Sequence, residues 1–175
     1  PNRDSINWLL EGFRNKKFIK EINNFKIHII GSWREKDKNS ILKKFPEFKN
    51  FLVFEGFVKD LEKYLIYNTD ICLLPIVSGS GIRTKFYDYM KSEKPVISTK
   101  LGVVGFEVIN DIHCIIKDDK EEYINSFIDL SKDIEKRKFL GETCKKALSC
   151  KTLDLLLSPL RLKLKKLGIN IKFPN

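Results

Sequence analysis

The most unusual stretch of the chain is Pro75-Ile76-Val77-Ser78-Gly79-Ser80-Gly81-Ile82-Arg83-Thr84-Lys85. It gathers two glycines, two serine hydroxyls, an arginine and a lysine in one loop. Gly79 and Gly81 let backbone N–H groups come close to an anion. A helical pattern opens at Thr84, and a helix N-terminus adds about half a positive charge. Arg83 supplies a planar fork for bidentate contacts, and Lys85 supplies a point charge. Together these groups ask for a phosphate or diphosphate. Asp88, one turn into the helix, can accept hydrogen bonds from sugar hydroxyls. The spacing is neither G-x-G-x-x-G nor G-x-x-x-x-G-K-[ST], which excludes the dinucleotide fingerprint and the P-loop. A G-x-G loop taken alone is equally compatible with a solvated surface turn.

The elements around this loop alternate. Ile6, Leu9, Leu10 and Phe13 fall on one helical face, with Asp4 or Ser5 as N-cap, and the helix is expected to run on through Ile19 and Ile22. Phe25 to Ile30 reads as a short buried strand closed by Gly31. A helix over Asn39 to Phe45 stops at Pro46, and Phe51 to Phe54 is a strand punctuated by Gly56. Asp60 caps a helix carrying Leu61, Tyr64 and Leu65. Strands follow at Ile71–Leu74, Pro95–Ser98 and Cys114–Ile116, with a helix from Thr84 to Lys91 between the first two. Two helices, 120–131 and 133–149, close the pattern. Strands that are short, continuous and apolar, each followed by a helix, predict an α/β fold: a Rossmann-like parallel sheet with helices on both faces.

The 175 residues suffice for one domain with its own core. Charged residues make up 32% and hydrophobic ones 42%, which is ordinary for a globular protein and argues against disorder. No run of 18 apolar residues occurs, so no membrane-spanning helix is expected. Cys72, Cys114, Cys144 and Cys150 show no C-x-x-C spacing, and His28 and His113 lie far apart, so a zinc site is not expected. Cys72 and Cys114 sit in apolar runs as small hydrophobes, which fits reduced thiols and a cytoplasmic protein.

The net charge of +10 invites a nucleic-acid partner, but half of it sits in residues 151–175, which hold six Lys/Arg against the single acid Asp154. The division expected is a domain over 1–150 and a basic amphipathic tail over 151–175. Leu153, Leu156, Leu157, Leu160, Leu164 and Leu167 form the tail's stripe, and Pro159 restarts its helix behind Ser158. Such a stripe packs on a protein surface, or 151–167 lies on a membrane at its cytoplasmic face. The alternatives to a phosphate-binding enzyme domain are thus a basic nucleic-acid module and a membrane-surface module, both on a Rossmann-like core. A sugar-nucleotide epimerase would also want carboxylate acid/base groups that are not found.

Asp70 to Pro75, the run Gly79-Ser-Gly-Ile-Arg-Thr-Lys-Phe-Tyr-Asp-Tyr-Met90 and Lys94-Pro-Val-Ile-Ser-Thr99 together resemble the C-terminal domain of group 1 glycosyltransferases of the two-domain GT-B architecture. Ile27–Gly31, Val53-Phe-Glu-Gly-Phe-Val-Lys-Asp-Leu61 and Leu101–Gly105 are similar to further segments of that family, in order, over roughly residues 1–150. The resemblance implies retaining transfer of a sugar from a nucleotide-diphosphate sugar, with this domain as the donor-binding half. It implies that the backbone of Gly81, Ile82 and Arg83 lines the sugar and β-phosphate, and that of Thr84 and Lys85 the α-phosphate. Phe57 and Val58 match the segment bordering the base. The family's ribose-binding Glu corresponds to Asp88, one methylene shorter, and an acid that often touches the donor sugar corresponds to Ser80. No cofactor or metal is implied. The resemblance implies that the acceptor site lies on a separate N-terminal domain and that the first strand of this domain is missing or trimmed before Asn2, and the chain alone is expected to be inactive.

Overall fold

The computed structural model describes residues 2–14 and 25–149. Expectations for the helix beyond Arg14, for Cys150 and for the 151–175 tail lie outside these residues.

The chain runs α1 (Asn2–Arg14), β1 (Ile27–Ile30), α2 (Glu35–Lys44), β2 (Leu52–Gly56), α3 (Leu61–Asn68), β3 (Cys72–Leu74), α4 (Thr84–Lys91), β4 (Val96–Ser98), β5 (Ile115–Ile116), α5 (Lys120–Lys132) and α6 (Ile134–Ser149). Short 3₁₀ turns at Pro46–Phe48 and Lys100–Val103 complete it. Every ladder is parallel: β1 with β2, and β3 with β4 with β5. This is the α/β layer that the alternating pattern predicts.

The differences have local causes. Asp4 and Ser5 do not cap α1, because the helix already begins at Asn2 and both residues lie inside it. The apolar stripe sets the helix phase but is silent on a polar first turn. α2 likewise starts at Glu35 rather than Asn39, its first turn carrying Glu35 and Asp37, which suit the positive helix end. Asp60 does cap α3, its Oδ1 accepting from Lys63 N–H at 3.0 Å. Phe25 and Phe51 lie just ahead of the strands and stack on each other, ring centroids 4.7 Å apart.

Two hydrophobic clusters form the core. One unites α1, α2, α5 and α6 through Leu9, Phe13, Ile41, Tyr123 and Leu140. The other lies around Leu65, Leu74, Phe86, Met90 and Cys114. Tyr123 joins them. Its buried hydroxyl accepts from Leu74 N–H at 3.1 Å and donates to Ile97 C=O at 2.8 Å, so it stands in the β3–β4 ladder. Cys72, Cys114 and Cys144 are free and buried, and burial pushes each thiol up to about 12, so they remain protonated packing groups.

The parallel strands form two separate ladders rather than one continuous sheet. Ile27 N–H bonds Phe51 C=O and Gly31 N–H bonds Gly56 C=O, so the backbone groups of His28 and Ile30 turn away from β2. Cys72 N–H bonds Pro95 C=O, which turns those of Ile71 and Leu73 away from β4. A cavity of about 450 Å³ lies between these two open edges, bordered by Leu9 and Leu65. No described helix is long and apolar enough to cross a membrane.

Tyr123→Phe should cost about 1–3 kcal/mol in urea unfolding, because Leu74 N–H and Ile97 C=O would be left unpaired in the core. A loss below about 0.5 kcal/mol would mean that the strands close and bond directly, with a net cost under that of one hydrogen bond.

Candidate functional site

The loop after β3 is fixed at its root. Leu74 C=O accepts from Ile76 N–H at 2.9 Å, and from Thr99 N–H and Ser98 Oγ at 3.4 Å each. Thr99 Oγ1 donates to Ile76 C=O at 2.6 Å and accepts from Gly102 N–H at 3.2 Å. A Cβ on Gly102 would collide with Ser98 Oγ, so glycine is required for this close approach. The end of β4 therefore clamps the start of the loop.

Beyond that clamp the loop turns outward. Gly79 and Gly81 take φ +104° and +88°, the left-handed region in which side chains are strained. Ile82 stays 50% exposed and meets Gly105, where a Cβ would stand 3.0 Å from Ile82 Cγ1. Phe86 and Met90 anchor α4 in the core, with Phe86 edge-on to Phe106 at 4.8 Å. The amphipathic spacing that places them inside leaves Thr84 and Lys85 exposed at the helix start.

The electrostatics of the loop are one-sided. α4 has no acidic residue in its first turn, and the side chain at its N-cap, Arg83, makes no capping bond. Its first N–H groups thus lack the usual side-chain acceptor. Arg83 folds inward against Gly79, whose missing side chain makes the space: a Cβ there would stand 3.1 Å from Arg83 Nη2. Arg83 Nε and Nη2 are buried and have no hydrogen-bond partner among the described residues. A buried cation without a partner is costly, and an anion in the loop would relieve that cost.

Asp88 stands one turn along α4, on the Thr84 face, and has no hydrogen-bond partner among the described residues. Burial raises its pKa; Lys91 offsets part of that, and Glu62 of α3 adds to it. Phe57 and Val58 sit on another loop, after β2, and the Phe57 ring is 81% exposed. Ile30 of β1 and Leu61 of α3 pack on the cluster that holds Leu74 and Phe86. Gly79, Ser80, Gly81, Ile82, Arg83, Thr84 and Lys85 form one loop and helix start, with Asp88 one turn along α4, while Phe57 and Val58 lie on the separate loop after β2.

Sequence reasoning misses the supports: Thr99, Gly102, Gly105 and Tyr123 act on the loop from distant parts of the chain, and no local spacing signals them. Among the described residues no group of three or more His, Cys, Asp or Glu gathers as a metal site.

A family model described as "Glycosyl transferases group 1" matches residues 1–133. The chain belongs to this family. Solved structures agree on the fold. A glycosyltransferase from Rickettsia africae superposes with a TM-score of 0.74 at 16% identity, over 94% of this chain and 44% of that one. Anabaena Alr3699/HepE in complex with UDP gives 0.71 at 13% identity, over 91% and 44%. A mutant of Staphylococcus aureus TarM, in complex with Fondaparinux, alpha-GlcNAc-glycerol and UDP, gives 0.71 at 20% identity, over 90% and 32%. No curated protein sequence matches the chain. The chain spans less than half the length of these structures, and its fold is one half of the GT-B architecture.

The raised pKa of Asp88 carries a sign. Between the ordinary carboxylate value and the raised one, the folded state holds a proton that the unfolded state has released, so stability falls as pH rises through that window. Asp88→Asn should therefore raise the melting temperature at pH 7 and flatten its pH dependence in the acidic range. An unchanged profile would contradict the burial assigned to this carboxylate.

Proposed function

We propose that this chain is the donor-binding half of a retaining glycosyltransferase, holding a nucleotide-diphosphate sugar in the loop after β3. The observation that carries this reading is the half-buried Arg83, whose Nε and Nη2 are buried and unpartnered among the described residues, beside two left-handed glycines and a helix start with no side-chain cap. The UDP complexes of HepE and TarM support the ligand class.

In this reading, backbone groups of Gly81, Ile82 and Arg83 face the sugar and β-phosphate, and those of Thr84 and Lys85 face the α-phosphate. Gly79 and Ser80 shape the turn. Asp88 accepts from the ribose hydroxyls, and its desolvation in the free protein is relieved by those bonds. Phe57 and Val58 border the base. As the bond from the sugar to the diphosphate breaks, the electron pair leaves with the nucleoside diphosphate. Arg83, Lys85 and the α4 N–H groups meet the charge that develops, a preorganised stabilisation built from the chain's own groups, with no metal required. A separate N-terminal domain brings the acceptor, and residues 151–167 offer a basic stripe for contact with that domain or with a membrane surface.

Titration of UDP, GDP, ADP and CMP by ligand-observed NMR tests this. One diphosphate should bind, and Arg83→Ala should weaken it by about 10-fold or more, the range for losing charge-assisted hydrogen bonds. Binding of none of them, or an unchanged affinity in Arg83→Ala, would overturn the reading. The isolated chain should transfer no sugar from UDP-glucose to added acceptors; turnover would place the acceptor site within these 175 residues.

A further inference from the structure

The ladder between β1 and β2 runs Ile27–Leu52, His28–Val53, Ile29–Phe54 and then Ile30–Gly56. Glu55 is skipped, so the register breaks at the end of the ladder. His28 pairs with Val53, and two-residue alternation puts Glu55 on the same face as both. Glu55 is aimed at two partners. Its Oε1 accepts from Tyr64 OH at 2.7 Å and lies 2.7 Å from His28 Nδ1, which is itself 2.7 Å from Tyr64 OH. The tyrosine proton is committed to the carboxylate, so a single Nδ1–H of His28 is shared between Glu55 Oε1 and the Tyr64 hydroxyl oxygen. The two bonds hold the Glu55 carboxyl below its ordinary range, and burial with the Glu55 contact pushes Tyr64 up to about 12.

These three residues stand on β1, β2 and the first turns of α3. Between Glu55 and Tyr64 the chain makes one excursion, the loop that carries Phe57. Its remaining anchors are also polar: Gly56 C=O accepts from Gly31 N–H at 2.7 Å, and Asp60 caps α3. The excursion is closed at its root, and Phe57 is its one exposed large hydrophobic, 81% exposed, a ring with no packing role in the fold. Fully satisfied polar networks fix geometry in a way that apolar contacts do not.

We propose that Glu55, Tyr64 and His28 form a clip that positions the Phe57 loop against the base of the bound nucleotide, so that these residues set affinity for the nucleoside and not for the diphosphate. The proposal rests on the donor-binding reading. It makes the three residues positioning residues, acting through Phe57.

The test compares UDP, ADP and inorganic pyrophosphate as probes on the full chain, by calorimetry or NMR titration. Tyr64→Phe removes only the hydroxyl. It should lower affinity for the preferred nucleoside diphosphate by about fivefold, the scale of an aromatic ring stacking on a base. Affinity for pyrophosphate should stay within about twofold of the wild type, because the Arg83 loop is untouched. Phe57→Ala should give the same pattern, and the double variant should lose no more than either single one. Glu55→Gln keeps an acceptor for both partners and should retain selectivity, whereas Glu55→Ala should not; near-ultraviolet circular dichroism checks that each variant is folded. An unchanged ratio of nucleoside diphosphate to pyrophosphate affinity in Tyr64→Phe, or additive losses with Phe57→Ala, overturns the clip. If the wild type binds pyrophosphate as tightly as UDP and ADP, the clip fails while the phosphate site stands. If it binds neither these three nor GDP and CMP, the donor-binding reading fails and the clip with it.

Discussion

Leu74 is the residue on which the rest depends. Its N–H is taken by the Tyr123 hydroxyl, and its C=O collects Ile76, Thr99 and Ser98. The backbone of one residue thus ties α5, the end of β4 and the root of the loop to β3. Tyr123 is fully buried between the two core clusters, so the junction is shielded from water, where hydrogen bonds are strong and leaving one unmade is costly. The strand ends here because Pro75 follows, and a proline has no N–H to continue the ladder. The loop that leads to Arg83 and Lys85 begins one residue later, from a fixed origin.

From that origin the loop is arranged around positive charge without a counterion. Two glycines give it left-handed turns, the helix presents its N–H end, and Arg83 is folded under rather than extended into water. A solvated arginine would cost the fold nothing; an inward one without a partner lowers stability in the free protein. In the donor-binding reading, an anion in the loop would return that cost. Asp88 shows the same logic with opposite sign: a desolvated carboxylate is ready for neutral donors such as hydroxyls.

Much of this was legible in the residues. The alternation of short apolar runs with helical stripes pointed to the α/β layer, and Gly79, Gly81, Arg83 and Lys85 in one loop pointed to the candidate anion site, because a loop is local and its chemistry lies in adjacent letters. The polar first turns of α1 and α2 were not legible, since hydrophobic period says nothing where no apolar residue falls. Nor was the Glu55 cluster. A glutamate inside a strand pattern reads as a solvent-facing residue, and only the β1–β2 register, a property of two paired strands, shows that its face is shared with His28 and Tyr64. Tyr123 reads as one more core aromatic until its hydroxyl is seen between two strands 26 and 49 residues away.

The cavity between β1 and β3 bears on how this chain behaves in company. An ordinary sheet edge offers a visiting strand hydrogen bonds along one side. Here His28 and Ile30 face Ile71 and Leu73 across one space, so an extended apolar segment entering it would be bonded along both sides and covered by helices above and below. The two halves of the fold share side-chain packing across that space but no ladder, which makes it the seam along which the domain opens first. Its filling or vacancy therefore governs whether β1–β2 and β3–β5 melt as one cooperative unit or as two, and whether concentrated protein stays monodisperse or exchanges strands between copies.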